Sequence, residues 1–336
     1  MRVLIIKTSS MGDVIHTLPA LTDAARAIPG ISFDWVVEES FAEIPAWHPC
    51  VNKVIPMALR RWRKNLASAK TWREYYAFYK ALRAERYDLI IDAQSLVKSA
   101  VISLLAKGKR GGLDWSSARE SFASVFYQKK CTVNFRQHAI VRMRSIFSEL
   151  LRYQVLDPVP DYGINRQRFQ SETENYLVFL HGTTWNTKLW PEEYWQQLVK
   201  FAEKKGLSVL LTAGNTLELE RANRIAAVSP LVTVLANLKI LDVAKLLANA
   251  KAVVSLDTGF AHLAAALEVP NVSLFGPTNP TFTGTLGKSQ ICLGANFPCA
   301  PCQSRTCSYQ GASEVKPACF ATLTPALVWN QVTKLI

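Results

Sequence analysis

Asp13 is the first residue of the chain whose type and position could do chemistry. It lies in the segment 8–14 (TSSMGDV), which follows an apolar run and precedes a helical pattern. A strand-to-helix turn of this kind lies at the carboxyl edge of a parallel sheet, where ligands bind. Asp13 is then either a helix N-cap or a general base that takes a proton from a substrate hydroxyl. One glycine is too few for the three-glycine dinucleotide fingerprint, so a nicotinamide or flavin site is disfavoured.

A second polar turn, at 181–191 (HGTTWNTKLWP), again lies between a predicted strand and a predicted helix. Thr183, Thr184 and Lys188 supply hydroxyls and a cation at the helix entrance, which suits an oxyanion such as phosphate. An ordinary loop with hydroxyl caps is the alternative.

A third turn carries Asp257, Thr258, Gly259 and His262 within SLDTGFAH. Gly259 allows close approach of the backbone, and the start of the helix offers unpaired N–H groups. His262 is either a ligand-facing residue or a buried structural histidine. Two phosphate-suited turns at neighbouring strand ends suggest a nucleotide diphosphate.

The charge of the chain is uneven. The chain has 39 Lys and Arg residues and 26 Asp and Glu residues, which gives a net charge of +13. Residues 1–160 contain 24 of the basic and 14 of the acidic side chains. The first half therefore favours an anionic partner, whether nucleic acid, acidic lipid headgroups or acidic saccharides. A generally basic surface is the alternative.

The stretch 53–73 concentrates this charge, with seven Lys or Arg residues and no Asp or Glu. A solvated basic helix face is one interpretation, and a segment that binds anions or a membrane surface is the other. Cations within and beyond it that could contact an anionic substrate are Arg60, Arg61, Arg63, Lys64, Lys98 and Arg119.

Five of the seven cysteines lie in the segment 292–319. Cys299, Cys302, Cys307 and Cys319 could form a structural tetrathiolate zinc site, or they are reduced thiols in structural positions. We expect a reducing compartment and no disulfide framework.

The elements that position these residues follow from the apolar pattern. Short β-branched runs alternate with amphipathic stretches, which is typical of parallel sheets flanked by helices. Strands are predicted at 2–7, 33–37, 88–92, 176–181, 208–212, 232–235, 252–256 and 272–275. Helices are predicted near 14–28, 73–86, 95–106, 138–152, 191–205, 217–228, 240–249, 259–267 and 324–335.

The chain is long enough for two domains. We predict an α/β protein with one βαβ domain over 1–157, a proline-containing linker over 158–175 and a second over 176–336, with the last helix as a candidate to pack back on the first domain. Such domains place a ligand cleft at their strand ends. The longest apolar runs are far shorter than a membrane span, which favours a cytoplasmic protein.

Several stretches together resemble the ADP-heptose-dependent heptosyltransferases of lipopolysaccharide core assembly. The carrying stretches are KTSSMGDVIHTLPALTD (7–23), FDWVVEE (33–39), RRWRK (60–64), DAQSLVK (92–98), DWSSARE (114–120), 181–193 and 255–262. The resemblance implies the GT-B fold, two Rossmann-like domains facing each other across a cleft. It also implies an inverting transfer of heptose from ADP-heptose to a Kdo hydroxyl of Kdo-lipid A.

The resemblance also implies roles for individual residues. Asp13 matches the catalytic base, Lys188 with Thr183 and Thr184 matches the group that stabilises the leaving diphosphate, and Glu218 matches a glutamate that holds the ribose. Asp257, Thr258, Gly259 and His262 match the donor motif. We expect Ser10 and the cations named above to bind the acceptor, no catalytic metal or cofactor, and peripheral contact with the cytoplasmic face of the inner membrane.

Two alternative functions remain at this point. One is a related glycosyltransferase with a different ADP-sugar or a phosphorylated Kdo acceptor. The other is a zinc-stabilised nucleic-acid-binding protein, which is disfavoured because the basic charge and the cysteines lie in opposite halves of the chain.

Overall fold

The computed structural model describes residues 1–171 and 175–336. Two compact units make up the chain, Met1–Ile164 (unit 1) and Asn165–Ile336 (unit 2). Each contains one six-stranded parallel sheet flanked by helices, which confirms the predicted α/β class. Of the linker predicted over 158–175, residues 172–174 lie outside the described residues.

The sheet of unit 1 has the strand order β3-β2-β1-β4-β5-β6, with every described pair parallel. This order reverses between β1 and β4, and ligands bind at such a reversal, beyond the carboxyl ends of the strands. The strands are β1 (Arg2–Ile6), β2 (Ser32–Glu38), β3 (Val51–Met57), β4 (Arg86–Asp92), β5 (Lys107–Leu113) and β6 (Lys129–Cys131).

The helices of unit 1 are α1 (Met11–Ala27), α2 (Leu59–Trp62), α3 (Ala69–Leu82), α4 (Val97–Leu105) and α5 (Ala139–Leu151). Short 3₁₀ helices cover Glu39–Phe41, Pro45–Trp47 and Ser121–Phe126.

The sheet of unit 2 has the order β12-β11-β10-β7-β8-β9, also parallel throughout the described pairs. Its strands are β7 (Tyr176–Leu180), β8 (Ser208–Ala213), β9 (Val232–Ala236), β10 (Ala252–Leu256), β11 (Asn271–Phe275) and β12 (Gln290–Gly294). Its helices are α6 (Glu192–Lys204), α7 (Thr216–Ala226), α8 (Ile240–Asn249), α9 (Gly259–Ala266), α10 (Pro280–Thr283) and α11 (Pro325–Val332), with 3₁₀ helices at Arg166–Arg168, Asn186–Lys188 and Ala318–Thr322.

The cores explain why the central strands are almost wholly apolar. All five residues of β7, of β10 and of β11 are buried, because helices cover both faces of a parallel sheet. In unit 2 the core includes Trp190, Trp195 and Phe320, each essentially inaccessible to solvent. α11 packs against α6 and β11 of its own unit. No helix in the described ranges is both long and apolar enough to cross a membrane.

Four strands, β3, β5, β6 and β12, were not predicted, and each has a weak apolar signal. β3 begins at Val51 and extends into the basic stretch, so the helical interpretation of that stretch is wrong for 53–57. β5 reads KGKRGGL, and its glycines serve packing, since a Cβ on Gly112 would lie 2.5 Å from the Tyr127 ring. The helix predicted over 73–86 ends at Leu82, because β4 already begins at Arg86.

A buried ion pair joins α1 to α5 and to the chain after it. The Arg144 guanidinium donates to both carboxylate oxygens of Asp23, at 2.6 and 3.0 Å, and to the carbonyls of Asp157 and Pro158. Both side chains are less than a tenth exposed. Removing one partner of such a pair leaves a buried charge without compensation.

We therefore predict that Arg144→Met lowers the free energy of unfolding of unit 1 by about 3 kcal/mol. Arg26→Met is the matched control, because Arg26 lies on α1, as Asp23 does, and its ion pair with Asp161 is half-exposed. Loss of that pair should cost less than about 1 kcal/mol. Urea denaturation followed by circular dichroism measures both variants. Equal decreases in the free energy of unfolding for the two variants would show that burial of the Arg144–Asp23 pair does not determine its contribution to stability.

Candidate active site

A pocket of about 490 Å³, including its open mouth, lies in unit 1 at the carboxyl ends of β1, β4 and β5. These three strands are neighbours in the sheet, so the loops that follow them meet. The residues that line the pocket are Lys7, Asp13, His16, Ala93, Gln94, Ser95, Leu113, Arg119, Ala139, Arg142 and Met143.

Asp13 is the third residue of α1 and not its N-cap, which is Ser10. One carboxylate oxygen of Asp13, Oδ2, accepts hydrogen bonds from the backbone N–H and the hydroxyl of Ser10, both at 2.9 Å. The arrangement is a capping box, so Asp13 stabilises the start of the helix through this oxygen. The side chain is 40% exposed, which leaves the other oxygen open to the pocket.

Lys7 is a cation near this second oxygen, Oδ1, of Asp13. Its Nζ lies 3.8 Å from Asp13 Oδ1 and donates a 3.0 Å hydrogen bond to the Ala93 carbonyl. The lysine side chain is only 6% exposed, and this burial lowers the pKa of Lys7 although Asp13 and Asp92 oppose the shift. The contacts with the Ala93 carbonyl and the Asp13 carboxylate fix the Lys7 amino group behind Asp13.

Burial disfavours the charged form of Asp13, but the positive charges of Lys7 and His16 and the hydrogen bonds from Ser10 outweigh it. Together they lower the pKa of Asp13 to about 2. The carboxylate is consequently ionised at neutral pH and ready to accept a proton.

Two arginines complete the charge of the pocket. Arg119 is exposed, and Arg142 projects from the first turn of α5 with its Nε buried and without a hydrogen-bond partner among the described residues. Burial and the charge of Arg119 lower the pKa of Arg142. Lys7, Arg119 and Arg142 outnumber the one carboxylate, so the pocket suits an anionic ligand that also carries a hydroxyl.

The remaining residues expected at the acceptor lie elsewhere on unit 1. Arg60 donates its backbone N–H to Glu38, and the charge of Lys98 also reaches that carboxyl. Arg61 forms a bidentate pair with Glu39 and another bond to Glu74. Arg63 and Lys64 follow α2 and are exposed. Of these predicted residues, the pocket itself includes only Arg119 with Asp13.

In unit 2 the turns after β7, β10 and β11 join in one hydrogen-bonded cluster. Lys188 Nζ lies 2.6 Å from Asp257 Oδ2, and the same oxygen accepts a 2.8 Å hydrogen bond from Thr278. Thr183 donates its hydroxyl to the Asp257 carbonyl at 3.3 Å. Thr184 lies exposed beside it. The structure thus brings together the two turns that the sequence assigned separately to phosphate.

The turn after β10 opens α9 in the way that the motif predicts. Thr258 is the N-cap and Gly259 the first residue of the helix. His262 lies in the first turn and is 4% exposed. This burial is what the structural interpretation of His262 expects, and a role toward a ligand stays a prediction.

Glu218 reaches the same region from the first turn of α7. Its carboxylate accepts a 2.8 Å hydrogen bond from the Gly214 amide and lies so close to Gly182 that a Cβ there would be 2.8 Å from Glu218 Cδ. Any larger residue at position 182 would therefore displace the Glu218 carboxylate from this place. Glu218 therefore borders the 181–188 turn.

All seven cysteines are free thiols. Burial, and then the nearby thiols of Cys299, Cys302 and Cys307, raises the pKa of Cys319 to about 11. In the ranges that the structure describes, no group of three or more His, Cys, Asp or Glu side chains is arranged to hold a metal ion.

Comparison with known proteins identifies the family to which these two sites belong. The model of glycosyltransferase family 9 (heptosyltransferase) matches residues 75–313. The chain belongs to this family. It is 52% identical to lipopolysaccharide heptosyltransferase 1 of Pseudomonas aeruginosa, an alignment that covers 100% of this chain and 98% of that protein.

Solved structures of a family 9 relative share the same fold. E. coli heptosyltransferase WaaC with ADP is 45% identical, covers 100% of both chains and has a TM-score of 0.89. The same enzyme with ADP-2-deoxy-2-fluoro heptose is 44% identical, covers 99% of both chains and has a TM-score of 0.84. This chain is therefore a glycosyltransferase of the GT-B fold.

Sequence reasoning did not single out three residues of the family 9 pocket. Lys7 directly follows β1, so its position at a strand end was a usable signal. His16 lies one turn after Asp13, on the same face of α1. Arg142 gave no local signal, because only the packing of α5 against α1, β5 and β6 brings it to the pocket.

We predict that Lys7→Met raises the pKa of Asp13 from about 2 toward the ordinary value of 3.8, because the main opposing cation is lost. Carbon-13 NMR of labelled aspartate carboxyls, assigned with Asp13→Asn, measures the shift. At about pH 4 the glycosyltransferase should keep Asp13 ionised, whereas the variant should show it partly protonated. Lys53→Met is the control outside the pocket, and an unchanged titration in Lys7→Met would contradict the assigned cause.

Proposed function

We propose that this family 9 enzyme transfers heptose from ADP-L-glycero-D-manno-heptose to a Kdo hydroxyl of Kdo-lipid A in lipopolysaccharide inner core biosynthesis. Its 52% identity to a lipopolysaccharide heptosyltransferase 1 supports this function, as do the solved relatives with ADP and a fluorinated ADP-heptose. The observation that carries the proposal is the ionised Asp13 among three cations in the unit 1 pocket.

The donor binds to unit 2 in this proposal. Lys188 with Thr183 and Thr184 contacts the diphosphate, and Glu218 holds the ribose. The first turn of α9, with Asp257, Thr258, Gly259 and His262, offers N–H groups to the same donor. The contacts of Lys188 with the Asp257 carboxylate and of Thr183 with the Asp257 carbonyl support this assignment.

The acceptor binds to unit 1. Kdo carries a carboxylate beside its hydroxyls, and the pocket offers Arg119 and Arg142 for the carboxylate and Asp13 for the hydroxyl. Ser10 orients Asp13 through two hydrogen bonds. Arg60, Arg61, Arg63, Lys64 and Lys98 lie outside the pocket on the same unit, and we propose that they supply further positive charge for the phosphates of lipid A.

The reaction is an inverting displacement at the anomeric carbon. The bond from this carbon to the diphosphate oxygen breaks, and its electron pair leaves with ADP. The acceptor oxygen forms the new bond from the opposite face and gives its proton to Asp13. Lys188 stabilises the negative charge that grows on the diphosphate, so we propose that no catalytic metal is required.

We propose that the enzyme works at the cytoplasmic face of the inner membrane, where its lipid-linked acceptor would be presented. The segment around α2 and α3 combines uncompensated cations with exposed apolar side chains. Leu66, Trp72 and Tyr76 are 59%, 59% and 66% exposed. Aromatic rings beside cations suit the headgroup layer of an anionic bilayer.

The structural zinc predicted at Cys299, Cys302, Cys307 and Cys319 stays a prediction, and the metal content of the purified protein tests it. A panel of ADP-sugars and of phosphorylated and unphosphorylated Kdo acceptors tests the donor and acceptor chosen here.

Asp13→Asn should reduce ADP release from ADP-heptose and Kdo-lipid A at least about 100-fold, because an amide cannot take the acceptor proton. The amide oxygen can still accept the hydrogen bonds from Ser10, so the helix start and the affinity for ADP should be retained. Calorimetry with ADP checks the retained binding. Normal turnover in Asp13→Asn would show that another group is the base.

Reversal of Arg60, Arg63 and Lys64 to Glu should abolish co-sedimentation with anionic vesicles, since each cation near such a surface contributes about 1 kcal/mol. Arg61 is left in place because it is paired with Glu39 and Glu74. The matched control makes the same charge change on unit 2 with Lys204, Lys205 and Lys251 replaced by Glu. Equal vesicle binding by both triple variants would dismiss the proposed membrane surface.

A further inference from the structure

The segment 303–305 belongs to the cysteine-rich tail, residues 292–319. It contacts the turns that follow β7 and β11 in unit 2, which form the donor turns together with the turn after β10. The backbone N–H of Gln303 donates to the Pro277 carbonyl at 2.8 Å, in the turn after β11. The hydroxyl of Thr187 donates to the Ser304 carbonyl at 2.7 Å. Two hydrogen bonds from neighbouring residues therefore fix this part of the tail beside the 181–188 turn.

These contacts bring Arg305 to the same indole as Lys188. The Arg305 guanidinium carbon lies 5.0 Å from the centroid of the Trp185 ring, and Lys188 Nζ lies 4.5 Å from that centroid. Because both groups lie over the same ring, the distance between the Arg305 guanidinium carbon and Lys188 Nζ is at most the sum of these two distances. Stacking on an aromatic ring orients a guanidinium and leaves its N–H groups directed outward.

An anion that binds at the donor turns needs a cation besides Lys188. Lys188 is paired with Asp257 at 2.6 Å, so the two together present little net charge to an incoming anion. Arg305 is exposed and has no hydrogen bond or ion pair with any described residue. Arg305 is thus the uncompensated cation beside Lys188, within the segment that the tail fastens to these turns.

We propose that Arg305 binds the diphosphate of the nucleotide-sugar donor, as a second cation beside Lys188. This inference rests on the proposed function and extends it to the tail, which the sequence analysis considered only for its cysteines. A guanidinium can donate two parallel hydrogen bonds to phosphate oxygens. Arg305 then binds the donor and stabilises the leaving ADP through its contact with the charged oxygens.

Calorimetry with ADP and with AMP tests the contact, because AMP lacks the terminal phosphate of the diphosphate. Arg305→Ala should weaken ADP binding by about 10-fold, which is typical of a lost hydrogen bond to a charged group, and AMP binding by less than about twofold. Arg305→Lys should recover part of the ADP affinity, since it restores the charge without the planar donors. Arg168→Ala is the matched control, an exposed arginine of unit 2 on another segment, and should bind both nucleotides as the unchanged enzyme does.

Wild-type affinity of Arg305→Ala for ADP would overturn the inference, and so would equal losses for ADP and AMP, which would indicate a disturbed tail. A tenfold loss for ADP alone, with partial recovery in Arg305→Lys, supports it. Absence of ADP binding by the unchanged enzyme would instead refute the proposed function, so the two failures are distinguishable.

Discussion

The two carboxylate oxygens of Asp13 have different partners, and the rest of the unit 1 site depends on this division. Oδ2 is used by the helix, since it accepts both hydrogen bonds from Ser10. Oδ1 faces the pocket, with Lys7 3.8 Å away. A buried lysine needs a nearby anion, and an aspartate in a basic pocket is kept ionised. Electrostatic contacts of Asp13 therefore connect the start of α1 to the end of β1.

A strongly lowered pKa makes Asp13 a weak base in the resting enzyme. This suits a displacement in which the attacking hydroxyl loses its proton late, when bond formation to a cation-like carbon has already made it acidic. In the proposed function, the same cations that lower the pKa of Asp13 also bind the charge of the acidic acceptor. Binding of that anion would offset part of their effect on Asp13, so the base becomes stronger as the pocket fills.

The fold and the position of Asp13 at the ligand edge of the sheet could be predicted from sequence because their signals are local. Fully apolar runs such as β7 and β10 report burial on both faces, and the polar turns behind them mark the ligand edge. β5 could not be predicted, since its KGKRGGL sequence becomes a strand only through pairing with β4 and β6. Arg142 and Arg305 were missed for a related reason. Tertiary packing alone brings them to sites whose motifs lie far away in the chain.

The two units use lysine–aspartate pairs of different tightness, and the difference follows from the chemistry required of each. In unit 1 the proposed role of Asp13 requires Oδ1 to be available to a proton, and the 3.8 Å separation from Lys7 leaves it so. In unit 2 the 2.6 Å pair of Lys188 and Asp257 fixes the geometry of the turn but neutralises the charge that the proposed diphosphate site needs. A site built on such a pair requires positive charge from elsewhere. Helix termini supply part of it, and a side chain anchored by the tail can supply the rest without loosening the turn.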